Sequence, residues 1–325
     1  MIPTITKLFN LILSTGKIPE GWSIGLIKPI FKQKGSANDP NNYRGITIIS
    51  CFAKLFTSAL NERLVKYFND CSTIGPEQAG FRAGFSAMDH VFVLHSIIDF
   101  FLAKGKRLYC LFVDYEKAFD YVDRVFLWQK LINANVNGRI LRVIQNIYDK
   151  AKACVTVGEE FSEHFECSRG IRQGINLSPL LFAIYLNDLQ RFLSRRVEGL
   201  SSLALEAPDR QTVSTLLKMF ILLYADDTVI CSETPEGLQR SVDELSAYCR
   251  RWALRINVSK TKAIVFSRGK VRKLPKLVCN NTDIEFVYGF NYLGVWFNYN
   301  NKFAIAQKQQ YNKASRAMFS LIKKM

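Results

Sequence analysis

The chain has 325 residues, 48% hydrophobic and 13% aromatic, enough for a large core, which excludes wholesale disorder. Its 44 Lys and Arg against 28 Asp and Glu leave a formal charge of +16, which suits an acidic polymer such as nucleic acid, or an anionic membrane surface. No apolar run reaches the roughly 20 residues that cross a bilayer; the eight cysteines form no C-x-x-C pair, and His90, His95 and His164 have no cysteine partners at finger spacing, which argues against a zinc site.

In chain order, Ile5 to Leu13 is short and amphipathic, with Lys7 inside it, and predicts a first helix rather than a signal peptide. Turn-rich stretches follow at Gly35 to Asn42 and Cys71 to Glu77. Ser86-Ala-Met-Asp89 is a capping box, and Val91, Leu94, Ile98 and Phe101 then recur at helical spacing. Leu108 to Val113 is a short apolar run ending in Asp114, the pattern of a buried strand. Lys152 to Val157 and Phe161 to Cys167, joined by Gly158-Glu-Glu, predict a hairpin. Ser178-Pro179 predicts a cap and first-turn proline for a helix through Phe182, Tyr185, Leu186 and Leu189. Gly199 to Gln211 is the least apolar stretch between strong elements and predicts a surface insertion. Phe220 to Cys231 places two apolar strands around a tight turn, with Asp226-Asp227 at the tip. Thr234-Pro235 opens a helix carrying Leu238, Val242, Leu245, Cys249 and Trp252 on one face, and strands follow at Ala263 to Phe266 and Tyr292 to Phe297. The order lacks a strict βαβ rhythm, so the class is α+β with a mostly antiparallel sheet. Cysteines lying within apolar runs suit reduced core thiols of an intracellular protein, nuclear or cytoplasmic, that is not secreted.

The carboxylates carry the chemistry. Two adjacent unit charges about 4 Å apart cost on the order of 4 kcal/mol at an effective dielectric of 20. A purely structural turn does better with Asn-Gly or Asp-Gly. Taken alone, Asp226-Asp227 reads as a solvated turn; the flanking strands and Tyr224 weigh against that, and a divalent cation would remove the repulsion. Asp114 sits at a strand end, which is a rigid mount for a ligand or a cap for a following helix. One strand-end acid and a hairpin-tip pair can converge on two metal ions that clamp an in-line phosphoryl displacement.

Tyr224-Ala-Asp-Asp227 and Asp114 to Phe119 resemble two palm motifs of reverse transcriptases, with Arg172-Gln-Gly-Ile-Asn-Leu-Ser-Pro179 between them similar to a third. Asn42-Tyr-Arg-Gly-Ile-Thr47 and Gln78-Ala-Gly-Phe-Arg82 resemble fingers motifs, and Asn257 to Lys262 and Phe290-Asn-Tyr-Leu-Gly294 resemble the last palm motifs. The ordered set resembles the non-LTR, LINE-like branch. That resemblance implies a right-hand polymerase fold, with fingers mainly at 1–105 and 124–170, a ferredoxin-like antiparallel palm mainly at 106–123 and 171–297, and a thumb begun at 298–325. It implies an RNA-directed DNA polymerase that takes an RNA template, a DNA primer and dNTPs, needs two Mg²⁺ ions (or Mn²⁺) and has no membrane partner.

By the same resemblance Asp114, Asp226 and Asp227 are the metal ligands, and Lys260 protonates the leaving pyrophosphate. Tyr115 and Glu116 lie near the triphosphate, Arg44 meets it, and Gln173 and Gly174 contact nucleotide and template, the glycine allowing close approach. Phe119 is the ring that clashes with a 2′-hydroxyl. Tyr292, Leu293 and Gly294 hold the primer end, and the basic run from Arg250 to Lys276 suits duplex phosphates. The plainer readings are core packing for Phe119 and solvated surface charge for Arg44, Lys260 and the basic run. Gly84-Phe85-Ser86 departs from the family where a basic residue is usual. The barely begun thumb predicts a fragment of a longer element, a decayed copy or a gene-model product. It also keeps in play a remnant that binds nucleic acid without catalysis and, third, an intron maturase-like protein.

Overall fold

All six apolar residues of Leu108–Val113 are buried, as a strand covered on both faces requires. In the computed structural model, which describes residues 2–33, 35–204 and 220–322, this strand is the centre of a five-stranded sheet. The spatial order is Glu285–Phe286, Lys262–Phe266, Leu108–Val113, Asp227–Ser232, Ile221–Tyr224. The four main strands pair antiparallel, and only the short Glu285–Phe286 runs parallel to its neighbour. Taken by sequence, they stand fourth, first, third, second, the order of a ferredoxin-like βαββαβ sheet.

Two helices cover this sheet. Pro235–Arg251 opens with the Thr234 side chain accepting from the Gly237 N–H and Pro235 in the first turn, and it buries Leu238, Val242, Leu245 and Cys249. Ala87–Ala103 starts with the expected reciprocal capping box of Ser86 and Asp89 and buries Val91, Leu94, Ile98 and Phe101. The predicted strand from Tyr292 to Phe297 is instead a hairpin of Gly289–Tyr292 against Val295–Asn298. Leu293 (φ 47°) and Gly294 (φ 85°) are both left-handed, which turns the chain back within two residues. The Phe112 ring stacks on Phe290 at 4.7 Å and meets Tyr292 at 5.7 Å, so the hairpin is packed on the central strand. These elements form one compact unit, residues 76–116 with 188–325. Of the expected 199–211 insertion, Ser201–Ala204 forms a short helix and 205–211 lie outside the described residues.

Residues 1–75 with 117–187 form the other unit. Its sheet runs Tyr43–Ile48, Ile24–Phe31, Lys152–Val157, with Ile24–Phe31 parallel to Lys152–Val157. The predicted second arm of the hairpin is broken into Glu160–Phe161 and Phe165–Glu166. Between them Ser162 turns its own hydroxyl to accept from the Val155 N–H at 2.9 Å, taking the place of a ladder bond. Helix Ser178–Leu186 is buried at every residue but Pro179, and its N-cap is Leu177, not Ser178. The buried Ser178 hydroxyl is committed to the Tyr148 hydroxyl at 3.1 Å, which leaves it unable to cap. Helices Ile2–Thr15 and Cys51–Asp70 close the apolar side, where Phe9 contacts both Trp22 and Phe56. All eight cysteines are free and five are buried.

Candidate active site

The register fixes the first relation. Val113 pairs with Thr228 on antiparallel strands, so Asp114, one residue on, stands beside Asp227. The backbone after the strand is then pinned by one segment. Asp114 N–H donates to Thr261 Oγ1 at 3.1 Å, Asn257 N–H donates to the Asp114 carbonyl at 2.8 Å, and Glu116 N–H donates to the Arg255 carbonyl at 2.9 Å. Asp114 does not cap a helix. Lys260, on the same segment, brings Nζ to 3.9 Å from Asp114 Oδ2. Both side chains are exposed, and a pair like this contributes little to stability. Tyr115, the next residue, is buried.

Tyr224 and Asp227 form the last pair of the Ile221–Tyr224 and Asp227–Ser232 hairpin. The two-residue tip is therefore Ala225-Asp226, and Asp227 opens the return strand rather than sharing the tip. Ala225 is left-handed, with φ 59°, where an L side chain carries a steric cost.

The electrostatics follow from this crowding. Asp227 is pushed up to about 6, first by partial desolvation and then by the charges of Asp226 and Asp114. The residue stays exposed as a whole, so solvent still reaches it and the neighbouring carboxylates are the part a cation would reverse. Asp114 is raised too, by desolvation foremost; Lys260 opposes this, Asp226 adds to it, a hydrogen bond from Asn257 opposes it and Glu116 adds to it. Among the described residues no three Asp, Glu, His or Cys side chains already stand arranged to hold a metal ion. The donor chemistry nevertheless fits one: hard carboxylate oxygens that raise one another's pKa are what a divalent cation relieves.

The remaining site residues divide between the units. Tyr292 is buried in the hairpin on Phe112, with Leu293 and Gly294 at its turn, in the unit of the carboxylates. Arg44, Phe119, Gln173 and Gly174 belong to the other unit. Arg44 is exposed on the edge strand Tyr43–Ile48. That strand holds the Gln173 loop: Thr47 N–H donates to the Gln173 carbonyl at 2.9 Å. Gly174 (φ 118°) lies so close that a Cβ there would be 2.4 Å from the Thr47 carbonyl oxygen. Phe119 is half-buried and stacks on Phe182 at 4.7 Å, so packing is part of its role.

Sequence reading passed over Asn257, Thr261 and Gln78 as individuals. The first two flank Lys260 in a motif read for its lysine, and a side chain that fixes a backbone N–H leaves no mark in composition or periodicity. Gln78 was read only as part of a fingers motif, yet its side chain reaches the hairpin that carries Asp226 and Asp227.

Residues 31–297 match the pattern of the reverse transcriptase (RNA-dependent DNA polymerase) family. The chain is 27% identical over 301 residues to a probable RNA-directed DNA polymerase from transposon X-element of Drosophila melanogaster, covering 90% of this chain and 30% of that protein. It is 24% identical to the RNA-directed DNA polymerase from mobile element jockey of Drosophila funebris, covering 90% and 30%. It is 27% identical to the Pol polyprotein of a type-1 R2 element of Nasonia vitripennis, covering 90% and 28%. These relatives bear out the non-LTR resemblance, and the chain spans less than a third of their length. Among solved structures it is similar to apo telomerase from Candida tropicalis (TM-score 0.55, 12% identity, 91% of this chain and 52% of that one). It is similar also to the form truncated from its C-terminal domain (TM-score 0.53, 14% identity, 90% and 57%). At such identity the likeness concerns the fold, which is the expected right-hand polymerase. The chain belongs to the reverse transcriptase (RNA-dependent DNA polymerase) family.

Proposed function

We propose that this chain is the polymerase core of a retrotransposon protein that copies RNA into DNA by two-metal nucleotidyl transfer. One observation carries the reading: Asp114 ends a buried central strand directly beside the Ala225-Asp226-Asp227 turn, and partial desolvation, with the charges of Asp226 and Asp114 added to it, pushes Asp227 up to about 6. Asp114, Asp226 and Asp227 are the residues that would hold two Mg²⁺ ions, with Mn²⁺ as a substitute. When bound, such ions lower the pKa of the attacking 3′-hydroxyl and neutralise charge on the leaving pyrophosphate.

The chain's own groups do the rest. Lys260, 3.9 Å from Asp114, offers a proton to the departing pyrophosphate. Backbone at Tyr115 and Glu116, fixed by the 255–261 segment, borders the triphosphate, and Arg44 meets its oxygens with a planar guanidinium. Gln173 and Gly174 approach base and template, and Phe119 excludes a 2′-hydroxyl by its ring. The Tyr292-Leu293-Gly294 turn holds the primer end. In this reading residues 1–297 are fingers and palm, and the helix Ala304–Ile322 begins the thumb. An RNA template, a DNA primer and dNTPs are the partners, consistent with a charge of +16. No described helix is long and apolar enough to cross a membrane.

The test is templated incorporation by the full chain on an RNA template, with and without a chelator. Incorporation that stops on chelation and returns with Mg²⁺ supports the reading. Binding of primer–template with no incorporation at any metal concentration would replace it with a nucleic-acid-binding remnant.

A further inference from the structure

The tip of the catalytic hairpin has an unusual support. Gln78 is buried to 1% exposure, and its Oε1 accepts two backbone N–H groups, from Gly80 at 2.9 Å and from Ala225 at 3.0 Å. Two donors facing one atom fix the amide with its oxygen toward the turn. The chain around it is zipped to the edge of the sheet: Leu223 N–H donates to the Glu77 carbonyl at 2.8 Å, and Ala79 N–H donates to the Leu223 carbonyl at 3.0 Å. Gly80 completes the fit. A Cβ at that position would be 2.2 Å from the Ala225 nitrogen and 2.9 Å from its Cα, backbone atoms that cannot rotate away.

We propose that Gln78 is a positioning residue that holds Ala225 in its left-handed conformation and so sets where Asp226 and Asp227 stand. The inference rests on the polymerase reading above. A two-residue hairpin turn usually takes Gly, Asn or Asp where φ is positive, because those residues tolerate it. Here the residue is Ala, so the conformation must be imposed from outside, and the Gln78 oxygen on the Ala225 N–H imposes it. Loss of that acceptor leaves two buried N–H groups unpaired and frees the turn to relax toward negative φ. Asp226 is the next residue and Asp227 the one after, so the relaxation moves both carboxylates relative to Asp114. A misplacement near 1 Å costs on the order of 100-fold in rate.

The test compares the full-length wild type with Gln78→Leu, Gln78→Leu with Ala225→Gly, and Gln78→Glu. The readouts are kcat, dNTP KM, the Mg²⁺ concentration for half-maximal extension, and amide hydrogen exchange of the peptide covering residues 221–228. Gln78→Leu is expected to lower kcat by at least about tenfold, raise the Mg²⁺ requirement and speed exchange at 221–228, with dNTP KM held within about twofold. Glycine adopts φ 59° freely, so Ala225→Gly should restore most of the lost kcat. Gln78→Glu keeps an acceptor oxygen for both N–H groups and should keep the exchange protection, which provides the reading if Gln78→Leu fails to fold. Unchanged kcat and Mg²⁺ requirement in folded Gln78→Leu, a loss that Ala225→Gly does not relieve, or lost protection in Gln78→Glu would each overturn the proposal. If the wild type extends no primer, the polymerase reading fails, and exchange at 221–228 still decides whether Gln78 holds the turn.

Discussion

Gly174→Ala tests the joint between the Gln173 loop and its strand. Gly174 has φ 118°, a region that residues with a side chain avoid, and an added Cβ would stand 2.4 Å from the Thr47 carbonyl oxygen. Ordinary contact at a Cβ begins at 3.4 Å, so the loop must withdraw by about 1 Å. The obstacle is backbone held in a strand ladder, where Thr47 pairs with Ile27, so the strand cannot yield cheaply. Forcing the backbone costs about 1–3 kcal/mol, and losing the bond from Thr47 N–H to the Gln173 carbonyl adds about 1 kcal/mol. We expect Gly174→Ala to destabilise the 1–75 and 117–187 unit by about 2–4 kcal/mol in urea unfolding. Because Gln173 moves with the loop, dNTP KM should rise more than kcat falls. A change within about 0.5 kcal/mol, the range of an unremarkable surface substitution, would refute the claim that strand and loop are in contact.

Three further outcomes follow from the same geometry. His90 is buried, its Nδ1 lacks a hydrogen-bond partner, and burial lowers its pKa to about 4 from 6.5. The unfolded chain takes up that proton more readily, so the contribution is whole above pH 6.5 and is lost toward pH 4, by roughly 3 kcal/mol. Unfolding of His90→Phe between pH 7 and 4.5 should show a shallower fall than wild type; equal slopes contradict this. Asp227 is raised to about 6, so its ionised form opposes folding above that pH; Asp227→Asn should raise the melting temperature in chelator at pH 8 while abolishing extension. A lower melting temperature there would count against carboxylate repulsion. Phe119→Val should lower discrimination against ribonucleotides by at least about tenfold in competition assays, and unchanged discrimination would leave the ring only its stacking on Phe182.

How far the sequence foretold the molecule depends on the range of the forces involved. The strand Leu108–Val113, the Ser86 and Thr234 caps and the apolar face of Pro235–Arg251 were legible because local spacing and capping chemistry decide them. Ser178 was misread as a cap because the hydroxyl's partner, Tyr148, is 30 residues away. The second arm of the Lys152–Val157 hairpin was read as continuous because only Ser162's bond to Val155 breaks it. Asp226-Asp227 was legible as a carboxylate pair, but the turn falls one residue earlier, since strand pairing of Tyr224 with Asp227 sets it. Gln78 was hidden for a related reason: its acceptor role depends on a donor 147 positions along the chain.

The most direct test of the central claim is primer extension on an RNA template with dNTPs and Mg²⁺, comparing wild type with Asp226→Ala. The account predicts extension by wild type and a loss of at least about a thousandfold in the variant, with primer–template affinity unchanged. Extension that survives Asp226→Ala would contradict it, because the turn carboxylate would then stand outside the chemistry.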